Sequence, residues 1–210
     1  MKGIVGKKLG MTQVFDEETG VLTPVTVIQA GPCPVVAVRT ADADGYDAVQ
    51  LAFDAVPEGK ISKPERGHLA KHGVKGAYRH VVELRGTTEV VAGEDVTVAL
   101  FEPGEKIKVS GISIGKGFAG TVKRHRFGRG PVTHGSHNIR APGSVGASAT
   151  PSRVFKGVKM AGRLGGKRAT QVGLVVHSTD PERNLLLVKG SVPGPKNGLV
   201  EVREDVRASA

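Results

Sequence analysis

The sequence predicts a mainly β protein: a strand-rich body into which a long, irregular and strongly basic excursion is set. Three observations carry that reading. Thirty Gly and twelve Pro in 210 residues suit short strands and many turns better than long helices. Apolar and β-branched runs recur on both sides of the middle of the chain, separated by turn signals. Between them, residues 121–170 hold neither a 3.6-residue nor a two-residue hydrophobic period.

Residues 1–55 read as β-structure, with runs at Val21–Ile28, Val35–Thr40 and Ala48–Phe53 separated by Gly-Pro, Asp-Gly and Pro-Glu-Gly. Pro24 within the first run predicts an edge position or a bulge. One helix is expected over 63–72. Ser62 and Glu65 stand at capping-box spacing, Pro64 suits the first turn, and Gly73 can end the helix in a left-handed conformation. Strand-like runs resume at His80–Leu84, Val96–Leu100 and Ile107–Ile114. After Phe118 the core-building pattern fades, returning at Gln171–Val176, Leu185–Val188 and Leu199–Val202.

If the irregular stretch leaves the body and returns, each arm has about 20–25 residues and a fully extended reach of ~65–80 Å. So long a structureless loop needs a functional reason. With little apolar surface to bury, it is expected to be poorly ordered alone and to fold on a partner.

Charge supplies that reason. Lys106–Thr179 spans 74 residues with 14 Lys or Arg and no Asp or Glu. The rest of the chain carries 16 basic against 20 acidic residues. A solvated face normally mixes signs, and a one-sign field this long repels itself unless a polyanion neutralises it. The cations come as Lys123, Arg124, Arg126, Arg129, Arg140, Arg153, Lys156, Lys159, Arg163, Lys167 and Arg168, interleaved with His125, His134 and His137. Glycines between them let the main chain lie against phosphates while Arg forks bond the oxygens. DNA readers present a helix or ribbon in a docking motif, and none is found here. An irregular basic loop suits folded RNA.

Other chemistries find less support. Gly115-Lys116-Gly117-Phe118-Ala119-Gly120 is a literal G-x-G-x-x-G. However, a poor helix follows it, and the next acid is Asp180, far beyond the ribose-binding position. Lys116–Ala119 opens like an RNA-recognition-motif signature, but Gly120 and Lys123 stand where that motif needs aromatics. Eight aromatics and no Trp disfavour a surface built mainly on base stacking. The three histidines have neither Cys nor carboxylate in their region to complete a zinc site, so RNA contact or solvent exposure is expected and no metal. With no carboxylate in the loop, no triad or carboxylate pair can be placed there, and no cofactor is expected.

Cys33 is the only cysteine, excluding an intrachain disulfide and reading as an inert small residue in a reducing compartment. The amino terminus lacks a signal-peptide pattern. No run approaches the ~18 apolar residues of a membrane span. A soluble, cytoplasmic protein is expected.

Several stretches then fall into place together: Gly6–Thr12, Gly115–Arg124, His134–Ser136, Arg140–Ser144, Val154–Gly157, Lys159–Gly162 and Glu182–Gly190. In this collinear order they closely resemble the bacterial ribosomal protein L3 family over nearly the whole chain. The resemblance implies a β-barrel body of the translation-factor type, in three parts at 1–54, 96–120 and 169–210, the last with a C-terminal tail. It implies an inserted α+β subdomain over 55–95 and an RNA-penetrating loop over 121–168. It further implies a non-enzymatic constituent of the large ribosomal subunit that binds 23S rRNA early in assembly. The partners would be that RNA and neighbouring large-subunit proteins, with no membrane and no small-molecule substrate.

By the same match, the outgoing arm is Thr121–Gly143 and the returning arm Ser152–Arg168. The nearly uncharged tip, Ser144, Val145, Gly146, Ala147, Ser148, Ala149, Thr150 and Pro151, would approach the peptidyl transferase centre. Lys7, Lys8 and Lys116, which stand in matched motifs, join the cations and histidines above as candidate RNA contacts. Two positions depart from the family pattern. Lys108 stands seven residues after Phe101 where Asp or Asn is common. Ala149 precedes Thr150-Pro151 where some relatives carry a methylated Gln, so that modification is not expected. The alternatives are an RNA-modifying enzyme or a nonspecific nucleoid protein that uses the loop as a grip.

Overall fold

The structure is a computed structural model and describes residues 2–16, 20–86 and 90–205. Residues 87–89 of the expected subdomain and the tail beyond 205 lie outside them. The chain opens with strands β1 (Gly3–Phe15), β2 (Leu22–Ala30) and β3 (Cys33–Arg39), then a helical turn α1 (Ala41–Asp44) and β4 (Ala48–Val56). Helix α2 (Lys63–Lys71), β5 (Ala77–Arg85), β6 (Asp95–Val96) and β7 (Lys106–Ile112) follow. The basic segment holds β8 (Phe118–Ala119), α3 (Thr121–His125) and β9 (Gly162–Arg163). Strands β10 (Arg168–Asp180), β11 (Leu185–Lys189) and β12 (Leu199–Glu204) complete the body.

Six strands close a barrel in the order β1-β12-β7-β10-β11-β2, every neighbouring pair antiparallel. The residues dictate it by alternation. Ile107 and Val109, Leu174 and Val176, Leu186 and Val188, and Val200 and Val202 are all buried, two apart on each strand and so on one face. Strand β10 outruns the expected Gln171–Val176 because it serves two partners. Its first half pairs with β7 and its second with β11. Between Val200 and Val202, the side chain of Glu201 points away from this row and meets the guanidinium groups of Arg168 and Arg203.

A second sheet has the order β5-β4-β3-β6. Strands β3 and β4 therefore leave the barrel, although the sequence reading grouped residues 1–54 with it. The redirection comes after β2, at Gly31, which holds φ +78°. Strand β3 then buries both Val35 and Val36. Val35 joins Ile4, Val5, Leu51, Phe53 and Leu84 in a core shared with the barrel, while Val36 packs with Ala52 and Leu69 under α2. A strand covered on both faces belongs between two layers rather than in a barrel wall.

Helix α2 forms as expected. Ser62 Oγ accepts from the Glu65 amide, and the Glu65 carboxylate accepts from the Ser62 amide at 3.0 Å. The expected strand at Val96–Leu100 does not form. Only Asp95–Val96 pairs with β3, and Val98–Leu100 makes a 3₁₀ turn. Val98 and Phe101 are both buried, and a spacing of three matches one 3₁₀ turn rather than a two-residue period. Cys33 is fully buried, with its Sγ 3.3 Å from the Val5 carbonyl oxygen. Burial pushes its thiol up to about 12. No helix among the described residues is long and apolar enough to cross a membrane.

The chain divides into two compact units. The body comprises Met1–Ser113 with Arg168–Ala210, and the second unit is Ile114–Lys167.

Candidate nucleic-acid interface

The second unit is held by backbone, not by a core. Ala119 and Thr121 are its only buried residues, and from Val122 to Lys167 no side chain is buried. Its two ends run antiparallel. Lys116 N donates to the Leu164 carbonyl at 2.8 Å, and Leu164 N donates to Gly117 at 2.9 Å. Phe118 and Ala119 pair with Arg163 and Gly162. At Gly165 the chain holds φ +70°, and an added Cβ would lie 2.0 Å from the Ile114 carbonyl oxygen. Only glycine fits that crossing.

Helix α3 starts where Gly120 turns the chain and ends at Arg126 in the left-handed region. The sequence reading found no periodicity here, because five residues are too few to show a 3.6-residue repeat. The turn places two cationic-type side chains against the returning chain. Arg124 Nη1 donates to the Met160 carbonyl at 2.6 Å, and His125 Nε2 lies 2.9 Å from the same oxygen.

Further out, Gly130 N donates to the Ile139 carbonyl at 3.0 Å. This closes a loop over residues 130–139, with Arg129 and Arg140 just outside its neck. His134, at φ +58°, and Gly135 make the turn at its far end, and His134 and His137 are exposed. Residues 144–150 are exposed throughout and Pro151 half-buried. The stretch is kept compact by side-chain hydroxyls bonded to its own backbone. Ser144 Oγ donates to Gly146 at 3.0 Å, and Ser152 Oγ donates to the Ala149 carbonyl.

The electrostatics follow from composition. Residues 114–167 carry eleven Lys or Arg and no carboxylate, so the segment cannot pair its charges internally. In the body, by contrast, Arg39, Arg66, Arg168, Arg183 and Arg203 each reach a carboxylate. Lys116, Lys123, Arg126, Arg129, Arg140, Arg153, Lys156, Lys159 and Arg163 are exposed. Lys167, the last residue of the segment, is also exposed.

Three residues singled out from the sequence also make contacts within the chain. Lys8 Nζ donates to the carbonyls of Val192 and Gly194 at 2.8 and 3.2 Å, tying β1 to the loop before β12. Arg168 pairs with Glu201 within the barrel. Arg124 Nη1 is engaged by the Met160 carbonyl. Lys7 lines a polar hollow of the body with Asp54, Arg79, His80 and Asn197. Burial lowers the His80 pKa. Among the described residues, no three His, Cys, Asp or Glu side chains converge as a metal site would need.

Two aromatics of this segment stand beside cations without being among the candidate residues. Phe118 is 81% exposed, and Phe155 lies under the Arg153 guanidinium, 5.1 Å from ring centroid to cation. A chain-wide count of aromatics dilutes both. The local signal was an aromatic within two residues of a cation, in Lys116-Gly117-Phe118 and Arg153-Val154-Phe155. Such pairs can stack on bases. The body also holds an apolar cavity of about 200 Å³ lined by Val49, Leu51, Leu84, Val90 and Leu100. Its rim also carries Lys2, Arg85, Glu94, Asp95, Thr97 and Arg203.

Comparison with known proteins agrees with this arrangement. The family model described as Ribosomal protein L3 matches residues 68–183. The chain is 52% identical over 213 residues to a protein of Acidothermus cellulolyticus, covering 100% of this chain and 95% of that one. It is 52% identical to a Streptomyces coelicolor protein, covering 97% and 95%. A Clavibacter michiganensis protein is 53% identical, covering 98% and 95%. Each of the three is named large ribosomal subunit protein uL3.

Proposed function

The chain belongs to the ribosomal protein L3 family, and we propose that it binds 23S rRNA through the basic segment, early in assembly, with residues 144–151 directed toward the peptidyl transferase centre. Membership makes it a structural constituent of the large ribosomal subunit, located in the ribosome and not an enzyme.

One observation carries the RNA-binding reading. A segment of 54 residues has eleven cations, no carboxylate and no buried side chain after Thr121. Its fold is maintained by main-chain hydrogen bonds and a few side-chain bonds from Arg124, His125, Ser144 and Ser152. Most of its exposed cations face solvent, where phosphate oxygens and bases can be met. Within it, Lys123, Arg126, Arg129, Arg140, Arg153, Lys156, Lys159 and Arg163 are the proposed phosphate ligands. His134 and His137 supply polar contacts, and Phe118 and Phe155 offer stacking faces. Arg124 and His125 shape the segment for this role. The uncharged stretch 144–151 would fill space between RNA elements while the cations around it neutralise phosphate.

The test is a salt titration of the full chain binding large-subunit RNA. Each neutralised phosphate contributes roughly 0.7–0.9 to the log–log slope, so five to nine contacts give a slope of about −4 to −8. A slope near zero sinks the electrostatic reading. Competition by bulk DNA at equal phosphate concentration should be weak, because the geometry read is that of folded RNA.

A further inference from the structure

The β1–β2 hairpin has the opposite character to the basic segment. Strand β12 pairs with β1 only over Gly3–Lys7, with Lys8 bonded to Asn197 and Gly198. Strand β11 pairs with β2 only over Val25–Gln29, followed by a bond from Gly190 N to the Pro24 carbonyl. Beyond those points Gln13–Phe15 pair with Leu22–Pro24, and the outer edge of β1 over Gly10–Phe15 has no strand partner among the described residues. The hairpin thus continues past the barrel wall as a two-stranded arm.

Register places Met11 opposite Thr26, Gln13 opposite Pro24, and Phe15 opposite Leu22. Residues directly opposite share a face, as do residues two apart. Met11, Gln13, Phe15, Leu22 and Pro24 therefore lie on one face of the arm, apolar except for Gln13. That face is bare: Met11 is 51%, Phe15 60% and Leu22 52% exposed, and Pro24 is exposed too. Exposed apolar side chains scattered singly are ordinary, but a contiguous face of them marks an interaction site. The outer edge of β1 over Gly10–Phe15 carries no charge and no proline. Those are the devices that otherwise protect an open edge.

Charge decides what covers it. Residues 9–38 contain three acids, Asp16, Glu17 and Glu18, and no Lys, Arg or His. Thirty residues without a cation, in a chain of formal charge +10, offer phosphate no ammonium or guanidinium of their own, although the Lys196 side chain lies beside Gly10. Their net charge of −3 repels RNA and attracts a cationic polypeptide. An apolar face beside an open strand edge is the surface that an added strand uses. Main-chain bonds would supply affinity and apolar contacts the specificity.

We propose that the β1–β2 arm docks an extended, Lys/Arg-rich segment of a neighbouring large-subunit protein, along the outer edge of Gly10–Phe15 and over Met11, Phe15 and Leu22. This rests on the chain being a constituent of the large subunit. The arm faces protein, and the basic segment faces RNA.

The photo-crosslinking amino acid p-benzoylphenylalanine, placed at Phe15 of the full chain and separately at Phe155, tests this in purified large subunits. From Phe15 the expected product is a crosslink to one protein segment that sequencing shows to have an excess of Lys and Arg. From Phe155 the expected product is a crosslink to RNA. A Phe15 crosslink to RNA, a crosslink to an acidic segment, or no product where Phe155 reacts would overturn the proposal. If neither chain enters large subunits, the ribosomal reading itself fails and takes this one with it. Leu22→Arg should lower the Phe15 crosslink yield severalfold relative to the Phe155 crosslink yield in subunits carrying the same substitution. An unchanged yield would also count against the docking surface.

Discussion

Arg124 and Met160, 36 residues apart in sequence, are joined by a 2.6 Å hydrogen bond from the guanidinium Nη1 to the backbone carbonyl. The bond turns a basic residue of the outgoing run into a clasp on the returning one, in a segment that has no core to do the same. A hydrogen bond from a charged donor contributes about 1.5–3 kcal/mol when protected from water, and less when exposed. Arg124→Ala should therefore loosen the segment by ~1 kcal/mol without unfolding the body. Hydrogen exchange should show faster amide exchange at Lys116 and Leu164 and unchanged exchange in β7 and β10. Equal loss in both regions would show that Arg124 supports something other than the clasp.

Gly165 and Gly162 give a paired test of how closely the two runs must approach. A Cβ at Gly165 meets the Ile114 carbonyl oxygen at 2.0 Å, with φ at +70°. A Cβ at Gly162 meets the Arg124 guanidinium at 2.7 Å, the movable end of a long side chain. Gly165→Ala should weaken RNA binding by tenfold or more, since backbone cannot yield as a side chain can. Gly162→Ala should cost at most a few fold, largely through the Arg124 clasp. Equal affinities for the two variants would mean that the crossing at Gly165 does not shape the RNA-binding surface.

Arg129 and Arg140 flank the hydrogen bond that closes the loop over 130–139. Their charges should act as independent phosphate ligands. Arg129→Gln and Arg140→Gln should each reduce the log–log salt slope by about 0.7–0.9, and the double variant by about twice that, with affinity falling across RNA sequences alike. Lys8→Gln is the contrasting case, because its ammonium is occupied by Val192 and Gly194. It should lower thermal stability and leave the salt slope unchanged. A slope change at Lys8 equal to that at Arg129 would overturn this division of labour.

Charge and capping were legible from residues alone. An acid-free window needs no register to be seen, and Ser62 with Glu65 marks a helix start by spacing. The strands at Leu185–Lys189 and Leu199–Glu204 announce themselves by apolar runs. The first strand did not, because Gly3, Gly6, Lys7, Lys8 and Gly10 interrupt its alternation. It is held by pairing with β12 and β2 rather than by local preference. The partition of β3 and β4 into a second sheet was equally hidden. Val35 and Val36 read as one apolar run, and only tertiary packing sends them into different cores. Among site residues, composition identified the cations but not which ones the fold occupies. The engagements of Lys8, Arg124 and Arg168 are with carbonyls and a carboxylate remote in sequence.

Cys33 supplies a stability test with a definite sign. Its thiol is pushed up from 9.0 to about 12, with burial the largest cause. The folded chain therefore keeps the proton while the unfolded chain releases it near the ordinary value. Because the folded pKa is the higher, the stabilising contribution is fully present below about pH 9. It is lost as pH rises from there toward 12, the unfolded state being favoured by roughly 1.4 kcal/mol per pH unit within that window. In denaturant titrations, wild type should lose stability between pH 9 and 10.5 more steeply than Cys33→Ala. The comparison cancels the lysines and tyrosines that titrate in the same range. The variant itself should be weaker at neutral pH by about 1–2 kcal/mol, from lost packing and the lost contact with Val5. Iodoacetamide at pH 8.5 should label the native thiol only at the rate of opening, and the denatured chain at once. Native labelling as fast as denatured labelling, or parallel pH curves for the two proteins, would show that Cys33 is not sealed in the core between Val5 and Val35.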